Sequence, residues 1–366
     1  MAYTPVDDSG ANHSTIYYAG NDSNPRTLTG GGFQPDMTWI KNASQAYNHI
    51  LFDSVRGAGS GKSLCPAQYY AENVTVSSST YGFLSAFTAD GFSVDEGTTS
   101  DVYVNDSSAG PNYVGWNWKA GTTTGIDTTG STITPTGYSL NATAGFSVIE
   151  YTGNALAGAL VPHGLGVIPD MIIVKNVDSG QDWRVYQHYS SNLGGTPQND
   201  YMVLNTTVGK ATNSTIWNDT APTAVNFSVG TADSTNGSGN QLMAYCFKGI
   251  QGFSRFAWYN GNNTTTNENG RFVYTGFRPA WIMLKMSSGV GNWSIYDDKR
   301  LGYNSDNNAL YAQADNSQDT SNKVNFCSTG FKFIDTGDPN ADEYYIYAAF
   351  AQSPLVNSEG VPNNAR

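Results

Sequence analysis

The stretch GFQPDMTWIK, residues 32–41, decides the fold because the chain repeats its pattern twice more. It returns as GVIPDMIIVK over 166–175 and as GFRPAWIMLK over 276–285. In each copy a proline precedes an apolar run that ends in lysine, which predicts a buried strand with the proline at its start. The copies lie about 134 and then about 110 residues apart. This spacing is the size of a domain and too long for a solenoid repeat.

Two further markers keep the same order around this strand. A Tyr-x-Gly-Asn sequence precedes it, and an aromatic-rich strand closes each copy, at 113–119, 242–248 and 345–352. The order predicts three domains of one kind. The expected divisions are a polar lead-in over 1–15, domains over 16–120, 145–249 and 250–352, a Gly/Thr/Ser-rich linker over 121–144 and a polar tail over 353–366.

The composition favours an all-β protein. Aromatic residues make up 13% of the 366 residues and charged residues also 13%, while turn-forming residues are abundant. Aromatic and β-branched side chains fit a pleated sheet, and short alternating runs such as 183–188 recur between turn signals. No window keeps the periodicity of a helix. We therefore predict three repeated antiparallel β-sandwich domains, jelly-roll-like in type.

Charge and targeting signals exclude several classes of protein. The net charge is −12 and the 18 Lys and Arg residues are scattered, whereas a nucleic-acid binder needs a basic stripe. We find no apolar stretch long enough for a membrane span and no signal peptide, so we expect a chain made in the cytoplasm without membrane insertion. Cys65, Cys246 and Cys327 form no CxxC pair, which predicts neither a disulfide framework nor a zinc site.

Two motifs that could carry chemistry do not fit their patterns. The segment GAGSGKS, residues 57–63, resembles a phosphate-binding loop, but Arg56 stands where the first glycine is required and no helix is predicted after it. The histidines do not have the spacing of metal ligands; they are His13, His49, His163 and His188. We expect no cofactor and no metal.

Paired carboxylates could support glycoside hydrolysis if two of them met in a groove. The available candidates are Asp297 with Asp298, Asp36 with Asp53, and Glu343. Asp36 recurs as Asp170 but becomes Ala280 in the third copy, so we expect this carboxylate to have a structural role in a turn. We predict no catalytic residue and no enzyme activity, and the sequence does not single out binding residues.

Two recurrent features have structural interpretations. Lys41, Lys175 and Lys285 end the proline-preceded strand, where we expect each to cover an apolar patch or bond a loop. Tyrosine doublets at 17–18, 69–70 and 344–345 place one ring on each face of a sheet. The inward ring belongs to the core, and the outward ring is either a sugar-stacking platform or an interface anchor.

Several strings of the first copy resemble a recurrent, poorly characterised domain of virion proteins from tailed, often marine, bacteriophages. They are GFQPDMTWIKN, LFDSVRG at 51–57, ADGF at 89–92 and YVGWNWKAG at 113–121. The resemblance is strong in the first copy and good in the second. It is degenerate in the third, where IYDDKR at 295–300 replaces LFDSVRG. It implies a tail-fibre-like or structural virion component, and it brings no functional residues with it.

The expected function is therefore a non-enzymatic virion structural protein on the particle exterior, either a tail fibre or a capsid-attached fibre or decoration. Its expected partners are other virion proteins, host-surface glycans and copies of itself, with a trimer favoured. The alternatives are a glycan depolymerase within a fibre and a free carbohydrate-binding, lectin-like protein. We also expect the lead-in or the segment 121–144 to pack against another subunit, because polar segments are ordered only when something holds them.

Overall fold

The computed structural model describes residues 4–74, 78–191, 195–264, 269–300, 304, 307–321, 323–354 and 356. Strands dominate this part of the chain, and its helices are single turns. The helices are α1 (Ser78–Tyr81), α2 (Ser214–Trp217) and α3 (Asp233–Asn236), with 3-10 turns η1 (Ser9–Ala11) and η2 (Pro197–Asn199). Most of the tail predicted over 353–366 lies outside the described residues.

The strands follow the three copies of the sequence. The first copy contains β1 (His13–Ala19), β2 (Arg26–Thr29), β3 (Met37–Asn42), β4 (Ile50–Asp53), β5 (Phe83–Thr88), β6 (Gly91–Asp95) and β7 (Asn112–Trp118). Next come β8 (Pro135–Asn141), β9 (Phe146–Thr152), β10 (Ala159–Pro162), β11 (Met171–Asn176), β12 (Arg184–Gln187), β13 (Asp200–Val203), β14 (Ala211–Thr212), β15 (Asn226–Val229) and β16 (Gln241–Phe247). The third copy contains β17 (Ser254–Asn260), β18 (Phe272–Tyr274), β19 (Pro279–Met286), β20 (Trp293–Asp297), β21 (Leu310–Tyr311), β22 (Val324–Cys327), β23 (Gly330–Phe333) and β24 (Tyr344–Ala351).

Each copy has one large and one small antiparallel sheet, and the large sheets share one strand order. The order is β1-β7-β3-β4 in the first copy, β9-β16-β11-β12 within a longer sheet in the second, and β17-β24-β19-β20 in the third. The register also matches, because Met37 pairs with Trp118, Met171 with Phe247 and Trp281 with Phe350. The small sheets are β2-β6-β5, β10-β15 and β18-β23-β22. The predicted fold class, all-β with antiparallel sandwiches, is confirmed.

The large sheets are buried on both faces. Within β7, Tyr113 packs into the first sandwich, whereas Trp116 and Trp118 on the opposite face join a cluster that all three large sheets build. We call this cluster the shared core; its aromatic members include Trp39, Trp116, Trp118, Trp183, Tyr245, Phe247, Trp281, Trp293 and Phe350. Burial of both faces explains why the proline-preceded strands read as continuous apolar runs rather than alternating ones.

The segment 121–144, expected to be a linker, contributes a strand. β8 pairs antiparallel with β9 and extends the large sheet of the second copy at its edge. Before it, the N–H groups of Thr132 and Ile133 donate to the Leu160 carbonyl of β10 at 3.0 and 3.1 Å. Ile133 and Leu140 are buried in the core of the second sandwich, which provides the apolar contact that orders this polar segment.

The described part of the lead-in packs on the same chain. Val6 is buried in the shared core, and the Lys119 N–H donates to the Asn12 carbonyl at 3.0 Å. Asn12 also accepts a hydrogen bond from the Asn141 side chain at 3.0 Å. Contacts within one chain therefore order the described parts of both segments, and packing of either segment against another subunit stays a prediction.

Candidate functional site

The Tyr-x-Gly-Asn sequence fixes a loop in the same way in each copy. The tyrosine hydroxyl donates to a carbonyl that precedes a buried asparagine; the pairs are Tyr18–Val104 at 2.8 Å, Tyr151–Thr235 at 2.6 Å and Tyr259–Pro339 at 2.8 Å. That asparagine side chain accepts the N–H of the Asn of the motif; the pairs are Asn21–Asn105 at 3.3 Å, Asn154–Asn236 at 2.8 Å and Asn262–Asn340 at 3.2 Å. The motif thus has a structural role.

The three recurrent lysines bond loops, and two of those loops belong to the preceding copy. The Lys175 ammonium donates to the Tyr69 carbonyl at 2.9 Å, and that of Lys285 to the Thr207 carbonyl at 2.8 Å. Lys41 donates to carbonyls of its own copy, including that of Gln45 at 3.0 Å. Burial lowers the pKa of Lys41 and Lys175 to about 7 and that of Lys285 to about 8. All three lysines are buried; Lys175 and Lys285 join neighbouring copies, and Lys41 holds a loop of its own copy.

Further buried hydrogen bonds cross between copies. The Trp183 indole donates to the Cys65 carbonyl, and the Trp293 indole to the Val203 carbonyl, each at 2.9 Å. In the first copy, His49 holds the equivalent place directly before β4; Trp183 lies directly before β12, and Trp293 begins β20. Burial holds the pKa of His49 well below its usual range. The three copies are therefore joined in sequence through polar as well as apolar contacts.

The sequence LFDSVRG and its degenerate counterpart in the third copy form the same buried ion pair. Arg56 Nε donates to Asp53 at 2.7 Å, and Arg300 Nε donates to Asp297 at 2.6 Å. Each carboxylate also accepts a bond from another copy: Asp53 from the Tyr245 hydroxyl at 2.8 Å, and Asp297 from the Trp116 indole at 3.0 Å. The second of these contacts links the third copy back to the first, so the links between copies close a ring.

A groove of about 770 Å³ lies at the outer edge of the third sandwich. Its walls are the free edges of β17 and β18 together with a loop of the second copy around Lys248. Phe272 and Tyr274 are 44% and 54% exposed, and the Arg255 guanidinium lies 5.7 Å from the centre of the Tyr274 ring. Asp170 is the one carboxylate in the described lining, and it already accepts bonds from Lys248 and the Gly249 N–H at 3.0 and 2.8 Å.

The corresponding edges of the other two sandwiches differ. In the second sandwich, residues 132–141 occupy the space between β9 and β10. In the first, a smaller groove of about 330 Å³ lies beside β1 and the glycines at 30–32, and residues of the lead-in form part of its lining. The third copy contributes Asp298 and Lys299 to that smaller groove, and burial raises the pKa of Asp298 to about 6.

The phosphate-loop pattern at 57–63 belongs to a loop between strands. These residues form turns, and the chain continues into a β-bridge between Leu64 and Leu51. Arg56 is held by Asp53, by the Lys62 carbonyl at 2.6 Å and by Glu72 at 2.7 Å. The segment is followed directly by this β-bridge and not by a helix, so the arrangement lacks the following helix N-terminus that a phosphate loop uses.

Three of the four histidines lie inside the protein. Burial lowers the pKa of His13 to about 3 and that of His163 to about 4, and His49 is enclosed beside Trp39. His188 is exposed at the end of β12. The structure therefore does not bring the histidines together as a catalytic or metal-binding group.

The candidate carboxylates serve mainly as hydrogen-bond acceptors within the fold. Asp36 accepts from the Ala120 N–H at 2.8 Å and from Ser139 at 2.8 Å, which gives it the structural role expected from the sequence. Glu343 accepts from Ser288 at 2.6 Å. Asp298 lines the smaller groove beside β1.

A separate set of three carboxylates was not anticipated from the sequence. Oxygens of Asp22, Asp101 and Asp106 lie within 4.8 Å of one another. Each has a partner within the loops: Ser107 donates to Asp22, Asn24 to Asp101 at 3.0 Å and Ser108 to Asp106 at 2.6 Å. These bonds explain the cluster as loop structure, and we assign no metal to it.

The tyrosine doublets at 17–18 and 344–345 do not expose a ring fully to solvent. Tyr344 lies in the shared core and Tyr345 in the core of the third sandwich, and Tyr17 packs against the shared core. Tyr69 is the exception, since 49% of it is exposed. Of the two interpretations offered for the outward ring, Tyr17 and Tyr344 fit an interface anchor, and the interface lies within the chain.

None of the helices in the described part of the chain is long and apolar enough to cross a membrane. No curated protein matches the chain, and no solved structure matches it. One family model matches residues 8–354, spanning all three copies together. By that match the chain belongs to the family described as Domain of unknown function (DUF7483).

Proposed function

We propose that this chain is a non-enzymatic structural protein of a tailed-phage virion, displayed on the particle exterior as a tail fibre or as a capsid-attached fibre or decoration. The observation that supports this proposal is the shared core. It holds three similar sandwiches as one body, which carries a groove on the third sandwich and a smaller groove between residues of the first and third copies. Such a body is suited to presenting several contact surfaces at fixed spacing, which turns weak contacts into avidity.

The proposed partners are neighbouring virion proteins and host-surface glycans, and a homo-oligomer is a further proposal. Exposed aromatic rings such as those of Phe272 and Tyr274 can stack on a sugar or anchor a protein segment. The net charge of −12 keeps the body soluble and directs attachment to local sites. Native mass spectrometry of the purified chain checks the oligomeric state, where a trimer is expected.

Cryo-microscopy of purified particles of a phage that encodes this chain tests the proposal. We expect three linked sandwiches in the density on the tail or capsid exterior. Gold-labelled antibodies against the purified chain provide an independent localisation. The proposal is overturned if the chain is located nowhere on the outside of the particle.

A depolymerase is the second candidate, and one observation favours it. Asp298, with its pKa raised to about 6 by burial, lines the smaller groove together with Asp8, and a raised carboxyl pKa suits a general acid. Release of reducing ends from host polysaccharide, abolished in Asp298→Asn, would establish this activity. No release by the wild-type chain would remove it.

A further inference from the structure

The second sandwich shows what can occupy the groove of the third. There, β8 lies against the edge of β9 and forms an antiparallel pair with it from Asn141 to Pro135. Tyr138 and Leu140 face the core of that sandwich, while Ser139 faces the first copy and donates to Asp36 at 2.8 Å. A seven-residue strand with alternating apolar and polar side chains therefore closes this sandwich edge.

β17 is the counterpart of β9 in the third copy. Phe146 of β9 pairs with Phe247, and Ser254 of β17 pairs with Phe350, the residue that corresponds to Phe247 in the common register. Both strands have seven residues and lie beside the closing strand of their copy. Yet no described strand pairs with the second edge of β17, and the space beside it is the groove of about 770 Å³.

A free strand edge favours one kind of occupant. Backbone N–H and C=O groups along such an edge bind a further strand by the hydrogen bonds that sheets use internally. The Gln187 side-chain amide donates to the Ala257 carbonyl of β17 at 3.5 Å. This hydrogen bond is long, so a strand that binds the edge of β17 can replace it with a shorter one. The wall opposite β17 is β18, also an edge strand, so the groove is bounded by two such edges, as in the second sandwich.

The charge of the groove favours an acidic strand over a basic one. Arg255 and Arg271 are exposed in its lining, and the charge of Asp170 is matched by Lys248 at 3.0 Å. The described lining is thus cationic on a protein whose net charge is −12. Guanidinium groups bind carboxylates through two parallel hydrogen bonds, and Phe272 and Tyr274 provide apolar contact between them.

We propose that this groove binds an extended acidic segment of a partner protein, which adds to β17 as an antiparallel strand. Its sequence has about seven residues in which apolar side chains alternate with Asp or Glu. The carboxylates lie on the face of the added strand that Arg255 shares with Ala257 and Tyr259, where they meet Arg255 and Arg271. The apolar side chains lie on the opposite face, beside Trp258. This inference holds wherever the chain is located, so its failure and that of the virion proposal are distinguishable.

A peptide experiment on the full chain tests this binding mode. The probe is a fluorescein-labelled nonapeptide in which valine alternates with aspartate; a second peptide has lysine for aspartate, and a third has proline at the central valine. Anisotropy gives the affinity, and hydrogen exchange with mass spectrometry locates the contact. We expect at least ten-fold tighter binding of the aspartate peptide than of either control peptide, with slowed exchange at 254–260.

Charge-reversal variants provide the matched comparison. Arg255→Glu combined with Arg271→Glu should weaken binding of the aspartate peptide at least ten-fold, whereas Lys299→Glu, on the smaller groove, should leave it unchanged. Unfolding midpoints confirm that both variants are folded. Equal affinity for the lysine peptide, or no protection at 254–260, refutes the proposal. Binding of an oligosaccharide of hexuronic acids in the groove, without binding of the aspartate peptide, also refutes the proposal.

Discussion

At the scale of single residues, the chain uses a small set of buried polar groups at corresponding positions. Gly20, Gly153 and Gly261 stand where a Cβ would meet a backbone carbonyl oxygen at 1.9, 2.2 and 1.8 Å. These distances are far inside van der Waals contact, and the atoms in the way are backbone. The glycine of Tyr-x-Gly-Asn is therefore required for the close approach of two loops.

Gly153→Ala should destabilise the protein by about 3 kcal/mol or more, because the loop that carries Gly237 must move and Asn236 must lose its bonds. Gly61→Ala is the matched control, since its Cβ would meet only the Asn73 side chain at 3.7 Å. Chemical denaturation measures both. A change in unfolding free energy for Gly153→Ala as small as that for Gly61→Ala contradicts the packing role.

A buried histidine gives the protein a predictable response to acid. The pKa of His13 is lowered to about 3 by burial, so the unfolded chain takes up the proton first as pH falls below 6.5. The stability linked to neutral His13 is present above pH 6.5 and is lost as the pH falls toward about 3. Phe146 holds the corresponding place in the second copy, and its ring lies 4.9 Å from that of Phe247.

His13→Phe should therefore reduce the loss of unfolding free energy between pH 6.5 and pH 4.5 by about 2–3 kcal/mol, at about 1.4 kcal/mol per pH unit. The replacement keeps the stacking on Phe350, whose ring lies 4.9 Å from that of His13. Urea titrations at several pH values measure the effect, with His188→Gln as the exposed control. Identical pH dependence in wild type and His13→Phe would show that His13 does not contribute.

At the scale of elements, the segment 121–144 is where sequence and structure differ most. Its composition is that of a linker, but Ile133 and Leu140 lie in the core of the second sandwich at 5% and 7% exposure. Leu140→Ala should cost about 2–5 kcal/mol of unfolding free energy. Thr123→Ala, at an exposed position, should change it by less than about 0.5 kcal/mol. Denaturant unfolding measures both variants. If the segment were a free linker, both substitutions would have the same small effect on the free energy of unfolding.

The sequence predicted those elements whose signal is local. A proline before an apolar run predicted β3, β11 and β19 in matching places, and the recurrent lysines bond loops as expected. It could not predict what covers the second face of these strands. Met171 and Ile172 show that both faces are apolar, but the neighbour is set by contacts between residues far apart in the chain.

The buried asparagines that hold the Tyr-x-Gly-Asn loops, and the groove of the third sandwich, were not predicted for a similar reason. Asn105, Asn236 and Asn340 have equivalent bonds but dissimilar neighbours in sequence, so no repeated string marks them. The groove arises because β8 covers the edge of β9 while the edge of β17 stays free. Only the arrangement of the sheets reveals that difference.

At the scale of the whole molecule, the shared core makes the three copies depend on one another. Rings of the first and third copies meet, with Trp118 and Trp281 at 5.4 Å, and Phe247 of the second lies 6.3 Å from Phe350. A copy on its own would expose to water the face of its large sheet that lies in the shared core. Exposure of each large apolar side chain there would cost about 1.5–3 kcal/mol of stability. The cross-copy bonds of Trp116 and Tyr245 to buried carboxylates would be lost as well.

Scanning calorimetry of the full chain, with the fragment 121–249, which includes β8 and the rest of the second sandwich, run in parallel, tests the shared core most directly. We predict one transition for the full chain, with equal calorimetric and van't Hoff enthalpies, and no cooperative transition for the fragment. Three separate transitions, with the fragment melting as it does within the chain, would contradict the account.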